Sequence, residues 1–226
     1  MRLILSYSDR NSLQDLHKRY LGDPVFELFG LTDLEFTKKR WAAGFANSCA
    51  TNLGRFTDKA AKRILGDAFG LSDDVLLKKV TITANDTVET EETDGVVLVS
   101  DVSEGDATHV QAMADDLASR LTQPFPASGI GFEFRGRYGK NDDTLIQKDE
   151  HMAEAIRALG AVPVMGTFST SNAEGAITRL RRSWVVVQGR ETVDVLAKLT
   201  GFDLIEYLKS RSKILSPVID IIKHTK

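Results

Sequence analysis

Apolar and polar residues alternate most clearly over residues 130–138. Ile130, Phe132 and Phe134 fall on one side of an extended chain, with Gly131, Glu133, Arg135 and Arg137 on the other. A period of two predicts a strand with one buried face, here one whose polar face carries an acid and two arginines. The period then changes. Asp142 or Asp143 is placed to cap a helix that gathers Leu145, Ile146, Met152, Ala153, Ile156 and Leu159 on one broad face, and Gly160 suits its C-terminal cap. Residues 161–168 form an apolar run of the length of a buried strand.

The rest of the chain is read around this strand–helix–strand stretch. Residues 1–22 read as a short strand or turn and then a helix around Leu13, Leu16 and Tyr20. Residues 31–70 read as helical, because Trp41, Phe45, Cys49, Phe56, Ala60 and Ile64 recur at three- and four-residue steps, with a break point at Asn52-Leu53-Gly54. This predicts a helical layer packed on a sheet. Its Lys38, Lys39, Arg40 and Arg55 are either a solvated face or contacts to DNA phosphate. Residues 75–83 read as a strand and residues 87–93 as a polar, acidic segment. Asp94-Gly95 leads into Val96, Val97, Leu98 and Val99, a buried strand. A helix over residues 106–121 and a loop containing Pro124 and Pro126 follow. After a turn at residues 169–172, residues 173–182 form a short helix ending in Arg179, Arg181 and Arg182. A strand over residues 184–187, a helix over 191–199 closed by Gly201, and a last helix over 202–215 complete the pattern. No internal repeat, low-complexity tract or long linker interrupts it. One α/β domain over residues 1–226 is expected, mainly helical over 1–72, with its α/β core over 75–215.

Composition narrows the chemistry. A net charge of −3 argues against indiscriminate coating of nucleic acid, although local arginines beside acidic metal ligands remain compatible with it. Cys49 is the single cysteine, which excludes an intrachain disulfide and a cysteine-rich zinc site. The four histidines show no metal-ligand spacing. The N-terminal apolar run, Leu3 to Leu5, is too short for a signal peptide, and no segment reaches the length of a membrane span. A soluble intracellular (cytoplasmic, prokaryotic) protein is the expectation.

If the strand that begins at Asp94 pairs antiparallel with the strand that carries Glu133, its start lies beside the other's end. Asp94 then falls near Glu133 and Arg135, and Asp101 falls away from them. Two carboxylates beside a cation suit a magnesium ion acting on a phosphate: the ion takes one or two protein carboxylates and leaves room for water and substrate oxygens. The basic group stabilises negative charge developing on the pentavalent phosphate. The bland reading is a solvated Glu–Arg pair on a strand face. Gln147 and His151, four residues apart, either share a face toward the cleft or are ordinary surface and structural residues.

Asp94, Glu133-Phe134-Arg135, the helix with Gln147 and the strand that follows it resemble, in order, the pattern of the PD-(D/E)XK nuclease superfamily. Residues 133–144 (EFRGRYGKNDDT), Trp184-Val-Val-Val-Gln-Gly and Thr200-Gly-Phe-Asp-Leu resemble its type II restriction endonucleases, in particular the ApaLI-like group. The resemblance covers roughly the C-terminal 130 residues. It implies a mixed central β-sheet flanked by helices, a restriction-endonuclease-like core carrying the N-terminal helical layer. It also implies a sequence-specific, Mg2+-dependent endonuclease of double-stranded DNA, acting as a homodimer and genetically paired with a methyltransferase. Asp94, or alternatively Asp101, and Glu133 would bind the metal. Arg135 stands where the family has lysine, and an arginine cannot give up its proton to act as a base; Lys140 or Lys148 is the alternative source of an ammonium. Thr93 stands where the family has proline. Arg137, Lys140, Arg179, Arg181 and Arg182 are the candidates for phosphate or base contacts. A repair or recombination nuclease on the same core and a non-catalytic nucleic-acid-binding α/β module are the competing expectations.

Overall fold

The computed structural model describes residues 13–21, 33–84, 87–136, 138–139 and 142–211. At its centre are four strands in the order β3 (Gly95–Leu98), β4 (Gly129–Arg135), β5 (Val162–Thr167) and β6 (Val185–Gln188). β3 runs antiparallel to β4, with Gly95 opposite Phe132, and β4, β5 and β6 run parallel. Parallel neighbours need crossover connections. Helix α5 (Asp143–Ala158) makes the first crossover and α6 (Glu174–Leu180) the second. The fold is α/β with a mixed sheet flanked by helices.

Alternate residues of these strands build two cores. Val97, Ile130, Phe132, Phe134, Val162, Val164, Val185 and Val187 pack with helices α4 (Glu104–Ser119) and α7 (Arg190–Thr200). Val96, Met165 and Val186 pack with α5, α6 and Trp184. Glycine lets α5 seat closely. A Cβ on Gly131 would lie 2.4 Å from Cγ2 of Ile156, closer than any side chain tolerates.

The chain divides into two compact units, Thr57–Ile205, which holds the sheet, and Met1–Phe56 with Glu206–Lys226. In the latter, α1 (Leu13–Leu21) places His17 Nδ1 3.0 Å from the hydroxyl of buried Thr37. Asp33 caps α2 (Leu34–Phe69) by accepting the N–H of Phe36. Among the described residues no helix is long and apolar enough to cross a membrane.

Several local expectations change. Helix α2 runs through Asn52-Leu53-Gly54 without a break. Its buried stripe in the second unit contains Ala61 and Leu65, whereas Phe56 is exposed and Ile64 only half-buried, so the apolar face lies one position away from the Phe56–Ala60–Ile64 row. The segment expected to be a strand from residue 75 starts as helix α3 (Asp73–Leu76). Ser72 occupies the N-cap position, acids fill the first turn, and Leu76 is buried. The strand β1 (Lys79–Ala84) follows and pairs antiparallel with β2 (Thr87–Glu92), so the acidic segment is half of a ribbon. Ser103, accepting the N–H of Asp106, starts α4 earlier than its apolar pattern suggests. The final helix α8 is described as Leu204–Ser210; residues 1–12 and 212–226 lie outside the described residues.

Candidate active site

β4 carries the first two groups. Phe132 and Phe134 are buried on one face, which turns Glu133 and Arg135 to the face covered by α5. This face is not solvated, contrary to the reading of an alternating strand: Gly131 and Glu133 are buried. The period of two is correct, but α5 covers the polar side as well. Arg135 Nη1 lies 2.7 Å from Glu133 Oε1, and its Nη2 donates to Asp149 Oδ1 at 2.6 Å. Asp149 belongs to the inner stripe of α5, seven residues before Ile156, which seats on Gly131. Its other oxygen accepts from the Tyr138 hydroxyl, and its backbone carbonyl accepts the indole N–H of Trp184.

Asp94 joins from the start of β3. The antiparallel register places it beside the end of β4, as its spacing predicts, and its Oδ2 accepts the N–H of Phe134 at 2.8 Å. Oδ2 also lies 3.9 Å from Arg135 Nη1. Asp101, in the turn three residues beyond the end of β3, pairs with Lys78 at 2.9 Å.

Two further groups come from α2. Lys62 Nζ is 2.8 Å from Asp94 Oδ1. Asp58 lies four residues earlier, one helical turn away, and interacts electrostatically with Asp94, Arg135 and Lys62. Asp58, Ala61, Lys62 and Leu65 occupy i, i+3, i+4 and i+7 of one stripe. Leu65 is held close to β3: a Cβ on Gly95 would lie 3.0 Å from its Cδ1. Lys62 therefore stands one turn from a residue pressed on Gly95, which places its amine over the adjoining Asp94.

Charge balance in this cluster is unequal. Asp58, Asp94, Glu133 and Asp149 are accompanied by Lys62 and Arg135. Burial pushes the Glu133 carboxyl up to about 8, with Arg135 opposing and Asp94 and Asp149 reinforcing the rise. Burial and the charge of Asp94 push Asp58 up to about 6, against the pull of Arg135 and Lys62. Burial acts to lower Lys62 and Arg135. Asp94 outweighs it for Lys62, and Glu133 with Asp149 outweighs it for Arg135, so both stay protonated. Burial, with Asp149 next, raises Tyr138, which keeps its proton and donates it to Asp149. Glu133 Oε2 and Asp58 Oδ1 are buried without a hydrogen-bond partner.

Those orphaned oxygens are where the fit of a magnesium ion can be tested. Full ionisation of these four acids leaves an excess of negative charge over Lys62 and Arg135, to which Glu92 beside Lys62 adds, and a divalent cation would offset it. Glu133 offers a free oxygen and Asp94 stands beside its partner Arg135. Among the described residues no three or more His, Cys, Asp or Glu side chains form a ready-made cage. Magnesium does not require one, since it keeps several waters and is commonly held by one or two carboxylates. The donor set therefore fits magnesium through Asp94 and Glu133.

The remaining candidates lie apart from this cluster or are engaged elsewhere. Lys148 is 2.6 Å from Glu91 of β2. Arg179 forms a two-pronged pair with Glu150 at 2.8 and 2.6 Å. Arg181 and Arg182 are exposed on the turn after α6. Gln147 is exposed, and His151 is 3.6 Å from Glu154. Arg137 and Lys140 lie outside the described residues. Asp58, Lys62, Tyr138 and Asp149 went unrecognised in the sequence. For Asp149 a signal exists: it sits between Ile146, Met152 and Ala153 at helical spacing, an acid in an apolar stripe. Compared with family models, curated proteins and solved structures, the chain matches none.

Proposed function

We propose that this chain is a magnesium-dependent endonuclease of double-stranded DNA, of the type II restriction class that its Asp94 and Glu133-Phe134-Arg135 pattern resembles. The observation that carries the reading is the convergence of Asp94 and Glu133, with a buried unpartnered oxygen on Glu133, beneath Lys62 and Arg135. Asp94 and Glu133 hold the ion, and Arg135 locks the Glu133 carboxylate by one oxygen and leaves the other without a partner. When bound, magnesium supplies Lewis-acid polarisation of the phosphoryl oxygen. The protein's own part is electrostatic. The side chains of Lys62 and Arg135 are 29% and 24% exposed, against 14% for Asp94 and 5% for Glu133, so an approaching anion meets the cations first. Fixed positive charge at that position stabilises the negative charge that builds on the phosphoryl oxygens. Arg181, Arg182 and, outside the described residues, Arg137 and Lys140 are the proposed DNA contacts; Arg179 joins them on leaving Glu150. A homodimer would match a palindromic target, and a methyltransferase of the same specificity would protect host DNA.

Incubation with a mixed-sequence plasmid in magnesium, against an EDTA control, tests the reading. Discrete fragments are expected. Structure-selective nicking would replace it with a repair or recombination nuclease. Intact DNA in magnesium would leave a non-catalytic nucleic-acid-binding module.

A further inference from the structure

We infer that Lys62, on helix α2 and outside the Glu-x-Arg strand, is the side chain that contacts the scissile phosphodiester; this rests on the nuclease reading above. Three observations point to it. First, Arg135 is already engaged. Nη1 bonds Glu133 and the Phe134 carbonyl, Nη2 bonds Asp149, and Nε is buried without a partner. To turn toward a substrate it would have to abandon a carboxylate at 2.6 Å whose side chain is only 1% exposed. Second, Lys62 is both anchored and open. Its ammonium has three donors, one directed at Asp94 Oδ1 at 2.8 Å, and its side chain is the most exposed of the charged groups that bond Asp94 or Glu133. Its remaining donors are available to a non-bridging phosphate oxygen. Third, the placement is built in. Leu65 packs into the space left by Gly95, and the Asp58–Lys62 pair shares its stripe.

The role is that of a fixed positive charge. Its attraction to an incoming phosphate and its pairing with Asp94 do not compete, because different N–H groups serve them. Lys148, held by Glu91, has no comparable route. The structure therefore moves the lysine expected two residues after Glu133 to a helix that precedes the sheet in sequence.

The test uses the full chain, a plasmid substrate and enzyme in excess, with magnesium. Lys62→Gln is expected to lower the single-turnover rate on the order of 10²-fold or more, the scale of losing one charge donor to the transition state. The fragment pattern should not change. Lys62→Arg, which keeps the charge, should recover to within about tenfold of wild type. Lys59→Gln, an exposed neighbour on the same helix, serves as the control and should cut like wild type. If Lys62→Gln does not fold, Lys62→Gln/Asp58→Asn restores the local charge count and should show the same loss. A folded Lys62→Gln variant, or the folded double variant, within about threefold of wild type overturns the Lys62 assignment while leaving the nuclease reading intact. A wild-type chain that cuts nothing overturns the nuclease reading, and the Lys62 role falls with it.

Discussion

The two faces of β4 are made by alternate residues of one seven-residue strand, and both are buried, but different forces hold them. On the α4/α7 side, Ile130, Phe132 and Phe134 meet the valines of β5 and β6, and the rings of Phe132 and Phe134 stack at 5.5 Å. Each such side chain removed from water contributes about 1.5–3 kcal/mol. On the α5 side the strand buries Glu133 and Arg135 against Asp149 and Tyr138. Taking such charges out of water costs about as much as their attraction returns, and well-packed apolar residues of similar volume are often as stable or more so. The first face is therefore what a fold needs. The second is costly for a fold, and titratable groups shifted by burial and by one another are what a reactive site requires.

That contrast can be broken from either side. The largest effects should come from truncating each face. Phe132→Ala should cost about 3–5 kcal/mol of unfolding free energy, and Asp149→Leu a similar amount, because it strands part of the half-buried Arg135 guanidinium and the buried Tyr138 hydroxyl. The faces should then diverge on repair. Arg135→Met and Glu133→Met added to Asp149→Leu remove the whole ionic group and should restore at least about 1 kcal/mol, since a buried ionic cluster is replaceable by apolar packing. Urea unfolding of the three variants measures this, and a triple variant no more stable than Asp149→Leu would mean that the polar face is a stabilising element after all.

Next in size is Glu133→Gln. Magnesium-dependent cleavage should fall on the order of 10²-fold or more, the scale of losing a group that stabilises transition-state charge. Stability should shift in a pH-dependent way. The folded carboxyl sits at about 8, above the ordinary 4.5, so between those values the folded chain holds a proton that the unfolded chain has lost. This contribution is complete below about 4.5 and is lost as the pH climbs to 8. Wild type should therefore weaken across that window, and Glu133→Gln should weaken less. Equal slopes for the two proteins in urea titrations at several pH values would show that Glu133 is ionised throughout.

The smallest effect concerns the rim. Arg181→Ala/Arg182→Ala should leave the melting temperature unchanged, because both residues are exposed. The plot of log affinity for duplex DNA against log salt should become shallower by about 0.9 for each phosphate that the variant no longer neutralises. An unchanged slope would remove this turn from the DNA interface.

What the sequence determined by itself is the apolar framework and one side of the site. The alternation at Ile130, Phe132 and Phe134, the helical face of α5 and the valine runs are local signals, because side-chain direction follows from the period of the element. They suffice for an α/β sheet and, once β3 and β4 pair, for Asp94 beside Glu133 and Arg135. Tertiary structure decided the rest. Whether the second face of β4 meets water or a helix depends on α5, which Gly131 admits to close contact through Ile156. Apolar periodicity on α2 selected Phe56, Ala60 and Ile64, because a count of hydrophobic residues passes over a stripe half of which is Asp58 and Lys62. A charged residue at helical spacing looks the same whether it faces solvent or a buried carboxylate. Lys62 acquires its partner only because Leu65 packs on Gly95, thirty positions further along the chain, and no local pattern encodes a contact of that range.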